Sequence, residues 1–467
     1  MNDFGLVGLG VMGKSLLINV EDKGYCVSAY NYTPDETKSF MENEAKDKNI
    51  SAYYDIESFV KSLKKPRKIF LMITAGKPVD DMIDQLLPLL DEGDVIMDGG
   101  NSYFHDTDRR LKKLKDNGID YLGIGVSGGE EGALKGPSLM PGGSRKAYDL
   151  VEELLMKIAA NTESGPCCAY IGNGSAGHFV KMLHNGIEYG MMQAISEVYD
   201  IMRKALKLSA EEIGDIFEEW NIGELNSFLM EISYKIMRYK DKESSKPLVD
   251  LILDKAGQKG TGKWTAQTSL DLGIPTPSLT VAVEERVISY FKGERTNLSK
   301  KVLKAYPETS YKKDKVIKEL KDTLLFTNFI LFSQGLWLMA DASKAYQFDI
   351  NLSEVLKVWK GGCIIRSKML DSYRSIIDED KTNVNLLNNQ KSLDFLMEKL
   401  DSIKDITTIA KDSYVPVIVI NTALDYFYSM IEENLSANLI QAQRDFFGAH
   451  TYERIDKEGI FHTKDWE

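Results

Sequence analysis

Apolar and polar positions change rhythm once along this chain. In the first third, short apolar runs at residues 4–8, 26–31, 68–74 and 94–98 read as strands. Segments of helical period separate them, the first at 13–23 and stopped by Gly24. Strand–helix alternation at this spacing predicts a parallel sheet with crossover helices. From about residue 178 the helical period takes over, with long segments at 178–205, 277–291 and 320–345. The run 324–340 is apolar but broken by Asn328, Ser333, Gln334 and Gly335, which predicts a buried core helix and not a membrane span. Beyond Leu435 the chain is rich in Gln, Asn, Arg, His and Tyr, and reads as a tail that packs on something else. The charged stretch 238–246 reads as a solvated loop.

Composition narrows the function classes. With 467 residues and 43% hydrophobic side chains, two or three domains with ordinary cores are expected. A net charge of −12 argues against a general nucleic-acid surface but leaves room for a local basic pocket. The four cysteines lack CxxC spacing, so neither a metal site nor a redox motif is indicated. A disulfide between the adjacent Cys167 and Cys168 would be strained, which suits a reducing compartment. No leader with a basic start and an apolar run is visible, so a soluble cytoplasmic protein is expected.

Gly8-Leu-Gly10-Val11-Met12-Gly13 follows the first strand and opens the first helix. There the glycines permit a tight turn, close backbone approach to a pyrophosphate and close helix–sheet packing, with the helix N-terminus facing the phosphates. The second strand ends in Asn31-Tyr32-Thr33, with neither an acid for a ribose 2′-hydroxyl nor an arginine for a 2′-phosphate. Asn31 and Thr33 can hydrogen-bond either ligand, Tyr32 can stack on adenine, and Lys38 reads as a solvated lysine. The choice between NAD and NADP stays open. Asp98-Gly-Gly-Asn101-Ser102 follows another strand, and Asn101 offers an amide to a nicotinamide or a substrate.

A helix starting near Ser175 would carry Lys181, His184, Asn185, Glu188 and Tyr189 on one face, with Val180, Leu183, Ile187, Met191 and Ala194 on an opposite apolar face. A desolvated lysine can take a hydroxyl proton while hydride leaves, then polarise the new ketone for loss of carbon dioxide. An acid farther along the face could return a proton to carbon. The lysine- and glycine-rich segment 255–265 suits phosphate, although taken alone it reads as a surface loop. Residues 126–132 and 136–143 read as glycine-rich polar loops.

These segments together resemble the 6-phosphogluconate dehydrogenase family. The matching stretches are GLGVMG, DGGNS, VSGGEEGALKGPSLMPGG, HFVKMLHNGIEYG, AGQKGTGKWT and LIQAQRDFFGAHTYE, in family order over nearly the whole chain. The resemblance implies an α/β N-terminal Rossmann-like domain (1–177), a large all-α domain (178–434) and a C-terminal tail (435–467). It implies a homodimer in which each tail reaches the partner's site. It further implies oxidative decarboxylation of 6-phosphogluconate to ribulose 5-phosphate with NADP or NAD, in the pentose phosphate pathway or in gluconate use.

By the same resemblance Lys181 is the general base and later acid, and Glu188 protonates the enediol. Ser127, Gly128, Gly129, His184 and Asn185 hold the sugar-acid end. Tyr189, Lys259, Thr261 and Arg286 hold the phosphate, while Arg444 and His450 come from the partner. Asn101 lies near nicotinamide and substrate, and Ile73, Thr74 and Ala75 lie beside the cofactor with the GLGVMG turn and Asn31, Tyr32 and Thr33. Two departures remove positive charge: Tyr32 replaces the family's usual arginine and Thr74 its usual lysine, which predicts a weakened NADP preference. The tail ends soon after Trp466, which suggests a smaller clasp. A short-substrate β-hydroxyacid dehydrogenase would not use Lys259, Arg286 and Arg444, and a non-catalytic dinucleotide sensor would not need Lys181 and Glu188.

Overall fold

Strands β1 (Phe4–Val7), β2 (Val27–Tyr30), β3 (Ile50–Tyr53), β4 (Lys68–Leu71), β5 (Val95–Asp98), β6 (Asp120–Ser127) and β7 (Ser138–Gly143) form one sheet in the order β3-β2-β1-β4-β5-β6-β7. The computed structural model describes residues 1–304, 311–380 and 384–466. The first six strands are parallel, and β7 pairs antiparallel with β6. β1, β2 and β5 are buried at every position, which is why they read as unbroken apolar runs: helices cover both sheet faces. One face packs through Leu16, Val20, Phe40 and Leu122, the other through Phe59, Ile69, Ile83 and Ile96. Strand order reverses between β1 and β4, which opens a crevice at the carboxyl ends of those strands.

The glycine-rich stretches 126–132 and 136–143 are not simply loops, as their composition suggests. Val126 and Ser127 end β6, Gly129–Lys135 is a helix, and Ser138–Gly143 is β7. The glycines serve close packing against the helix Ala176–Lys204. A Cβ on Gly142 would lie 2.2 Å from the Gly177 nitrogen, and one on Gly125 would lie 2.5 Å from the Lys181 Cβ. The helix backbone therefore rests almost directly on β6 and β7.

That helix, 29 residues long, begins beside Ser175 as the sequence suggests. Its face expected to carry the site is largely enclosed: Lys181, His184 and Tyr189 are buried along with Val180, Leu183, Ile187, Met191 and Ala194, and Asn185 and Glu188 are half-buried. It is the spine of the molecule, with the sheet on one side and the helices Thr261–Leu272, Pro277–Tyr290, Lys313–Ala345 and Ile418–Ile431 around the rest. The helix Lys313–Ala345 is long and apolar enough to cross a membrane, yet 94% of its apolar window is buried inside the protein.

The tail consists of the helix Ala437–Gly448 and a short hairpin, Tyr452–Glu453 with Ile460–Phe461. The buried Asp445 carboxylate latches it, accepting from the Thr451 and Thr463 backbone N–H groups, from His462 Nδ1 and from Trp466 Nε1 at 2.9–3.2 Å. Leu439, Ile440, Phe446, Phe447, Ile455 and Ile460 remain exposed. Glu467 lies outside the described residues.

Candidate active site

The crevice at β1, β2 and β4 is a cleft of about 620 Å³ lined by Gly8, Asn31, Tyr32, Ile73, Thr74 and Lys77 among others. At its floor Gly13 allows the first helix, Val11–Asp22, to turn tightly off β1, because a Cβ there would meet the Gly8 carbonyl at 1.9 Å. No side chain caps this helix and no acid occupies its first turn, so its N-terminal N–H groups and positive dipole end, beside exposed Gly10 and Val11 and half-buried Met12, are left for an anion. Asn31 is anchored: the Leu9 N–H donates to its Oδ1 at 3.0 Å. Tyr32 and Thr74 are exposed in the lining of the cleft, Thr33 is exposed next to Tyr32, and half-buried Ile73 and Ala75 flank Thr74. This uncapped turn, with open space over Gly10, fits a dinucleotide pyrophosphate.

A network that sequence reasoning missed holds the loops between this cleft and the spine. Buried Asp98, at the end of β5, accepts from the Gly100 N–H, Ser102 Oγ, Tyr121 Oη and Arg110. Buried Arg110 also donates to the Gly76 carbonyl at 2.9 Å, and so ties the loop after β4 to the loop that presents exposed Asn101. The signal was present as an acid ending a buried strand, but the partners of its side chain lie up to 23 residues away.

On the spine, Lys181 Nζ donates to Asn185 Oδ1 at 2.8 Å and lies 3.4 Å from His184 Nδ1. His184 Nε2 lies 3.2 Å from Ser127 Oγ, and its Nδ1 lies 3.0 Å from Asn185 Oδ1. Asn185 Nδ2 donates to Thr261 Oγ1 at 3.1 Å. Ser127, Lys181, His184, Asn185 and Thr261 therefore form one connected cluster, drawn from β6, the spine and the 261–272 helix. The Ile364 N–H approaches Ser127 Oγ at 3.4 Å and the Gly362 carbonyl accepts from the Ser138 N–H, so the segment 361–366 closes over Ser127 and Gly128 and leaves Gly129 exposed. That segment also escaped the sequence reading; its Gly-Gly pair between helices was the available signal.

Burial controls the electrostatics. It pushes the Lys181 ammonium below the usual lysine range, against the pull of Glu188 and Cys363. It pushes the Glu188 carboxyl above the usual range, against Lys181 and Arg286. Burial, reinforced by Lys181, pushes His184 far down, so the ring is neutral. A neutral ring satisfies both neighbours when Nδ1–H donates to Asn185 and Nε2 accepts from Ser127. Burial also raises the Cys363 thiol to about 12, which leaves it an inert neighbour.

Two turns along the spine from Lys181, the Arg286 guanidinium stacks 3.5 Å from the centre of the Tyr189 ring and donates to the Gly257 carbonyl at 3.0 Å. Lys259 is exposed on the loop ahead of Thr261. Arg444 and His450 are exposed on the tail, which packs chiefly on its own hairpin, so one chain does not bring them to the cluster.

Two family models match this chain: the NAD binding domain of 6-phosphogluconate dehydrogenase over residues 3–172, and the 6-phosphogluconate dehydrogenase C-terminal domain over 177–466. The chain belongs to the 6-phosphogluconate dehydrogenase family. It is 47% identical to the decarboxylating enzyme of Lactococcus lactis, over 99% of this chain and 98% of that one. Two Bacillus subtilis family members are similarly close: the NADP(+)-dependent one at 48%, over 98% of each chain, and the NAD(+)-dependent one at 45%, over 99% of each. The Plasmodium falciparum 6-phosphogluconate dehydrogenase, solved in its apo form and with NADP+ or 6-phosphogluconate, superposes with a TM-score of 0.95. It is 41% identical and is covered in full by 99% of this chain. The family thus contains both NADP- and NAD-dependent members.

Proposed function

We propose that this protein oxidises and decarboxylates 6-phosphogluconate to ribulose 5-phosphate and carbon dioxide with NAD or NADP. The observation that carries the reading is buried Lys181 with half-buried Glu188 on the same helix, each pushed toward its neutral form, set between a sugar-acid cluster and a stacked arginine. Ser127, Gly128, Gly129, His184 and Asn185 hold the carboxylate and hydroxyl end, and Tyr189, Lys259, Thr261 and Arg286 hold the phosphate. Asn101 lies between substrate and nicotinamide.

Neutral Lys181 Nζ takes the proton of the substrate hydroxyl being oxidised. A dinucleotide cofactor would be held by Gly8, Gly10, Val11, Met12, Gly13, Asn31, Tyr32, Thr33 and the 73–75 segment, and its nicotinamide would supply the hydride acceptor. The Lys181 ammonium then donates a hydrogen bond to the new ketone oxygen and draws in the electrons released as the bond to the carboxylate breaks. The protonated Glu188 carboxyl delivers a proton to carbon, and the enediol becomes the ketose. Asn185 Oδ1 keeps the Lys181 amine aimed throughout.

In the same reading the division at residues 177 and 434 separates cofactor binding, substrate binding and a clasp. Two chains pair so that Arg444 and His450 complete the partner's site. The exposed apolar side chains of the tail and Leu270, Ile288, Tyr290 and Phe291 on the helical part support that pairing. The setting is cytoplasmic, in the pentose phosphate pathway or gluconate use. Steady-state reduction of NAD and NADP with 6-phosphogluconate, with carbon dioxide release followed, tests the function. Release in step with reduction is expected, and absence of turnover with both cofactors would overturn it.

A further inference from the structure

The helix that follows β2 brings an acid back against the Asn31-Tyr32-Thr33 triplet. The Leu9 N–H requires an acceptor and finds Asn31 Oδ1, which turns the amide nitrogen outward. That nitrogen donates to the Thr33 carbonyl at 3.3 Å and to Glu36 Oε2 at 2.9 Å. Glu36 sits in the first turn of the helix Pro34–Glu42, where the helix dipole favours a carboxylate. The chain thus folds an acid back beside a residue that lines the cofactor cleft. Its second oxygen, Oε1, takes no partner among the described residues.

The surroundings offer little to a dianion. The one cation lining the cleft among the described residues is Lys77, and both Asp81 carboxylate oxygens hold its ammonium at 2.6 Å. Asp84, also in the lining, pairs with Lys113. Lys38 pairs with Asp35 at 3.6 Å and Lys14 with Glu44 at 3.0 Å. A carboxylate at the end of the second strand accepts a ribose 2′-hydroxyl, whereas a 2′-phosphate needs a cation there.

We propose that Glu36, positioned by Asn31, selects the cofactor. Its carboxylate accepts a hydrogen bond from the adenosine 2′-hydroxyl and repels a 2′-phosphate, so the site takes NAD over NADP. This rests on the cofactor cleft assigned above and goes beyond the charge lost at Tyr32 and Thr74.

The test is Glu36→Gln, whose carbonyl can still accept from Asn31 Nδ2, so that mainly the charge is removed. Calorimetry with 5′-AMP and with adenosine 2′,5′-bisphosphate reads the cleft without turnover. Wild type is expected to bind 5′-AMP more tightly. Glu36→Gln should shift the ratio of the two affinities by about tenfold toward the bisphosphate, and Glu36→Lys should shift it further. The kcat/KM ratio of NAD to NADP should fall in parallel. Wild type that prefers the bisphosphate, or a ratio unmoved in Glu36→Gln, would overturn the role of Glu36 alone. Wild type that binds neither nucleotide would overturn the cleft assignment and this proposal with it.

Discussion

The catalytic cluster and the cofactor cleft both present lysines and carboxylates, but they treat charge in opposite ways. On the spine, buried Lys181 and half-buried Glu188 stand seven residues apart and make no ion pair with each other; desolvation pushes both toward their neutral forms. At the cleft, Lys77 with Asp81, Lys113 with Asp84 and Lys38 with Asp35 are paired at the surface, where solvent screens them. Chemistry needs groups that change protonation, and burial provides them. Selection between two cofactors needs only a fixed charge, and an exposed acid beside a hydrogen-bonded amide provides that.

The contrast can be broken most directly at Lys181. Replacing it by Met should lower kcat by about 10²–10⁴-fold while 5′-AMP still binds, since the base is lost and the cleft is untouched. Turnover near wild type would remove Lys181 from its proposed role.

Arg286→Met is the next largest. Losing a charge-assisted contact to phosphate should raise KM for 6-phosphogluconate by about tenfold or more. It should also move the alkaline limb of the kcat/KM profile upward. Arg286 holds the Glu188 pKa down, so without it the carboxyl stays protonated to higher pH. The acid limb, set by protonation of Lys181, should move little. A profile that shifts at its acid limb instead would contradict this assignment.

Asp80 tests the cofactor side at an intermediate, partly buried site. Burial alone would raise its pKa, but hydrogen bonds from Arg110 and Arg109 override it and hold the group at about 2. A carboxylate depressed in the folded state stabilises the protein above its unfolded pKa, near 4, and that contribution is lost as pH falls from about 4 to about 2. Asp80→Asn should therefore cost about 1–2 kcal/mol at neutral pH and flatten the loss of stability over that acid window, as read by denaturant unfolding at several pH values. An unchanged slope would show that the pair contributes nothing.

Lys77→Ala should have the smallest effect, below about twofold on the affinity for either nucleotide, because an exposed lysine committed to Asp81 contributes little. A large selective loss of the bisphosphate would show that Lys77 is available to a 2′-phosphate after all, and would blur the distinction between the two regions.

The helix carrying Lys181 was legible because its residues repeat at helical spacing and because lysine, histidine, asparagine, glutamate and tyrosine together are unusual on a solvated face. β6 and β7 were less legible, since glycines used for close contact with a helix look like glycines used for turns. Glu36 was missed because its approach to Asn31 depends on the helix that starts at Pro34 directly after the second strand. The contact of segment 361–366 with Ser127 spans more than 230 residues, a separation no local pattern encodes.

By itself the sequence determined the strand–helix alternation, the GxGxxG turn and the residue types along the spine, because these follow from local backbone preference and periodicity. The tertiary structure decided the protonation tendencies of Lys181, His184 and Glu188 and the company of Asn31. Desolvation and through-space hydrogen bonds depend on what packs around a group, and those neighbours come from elements far apart in the chain.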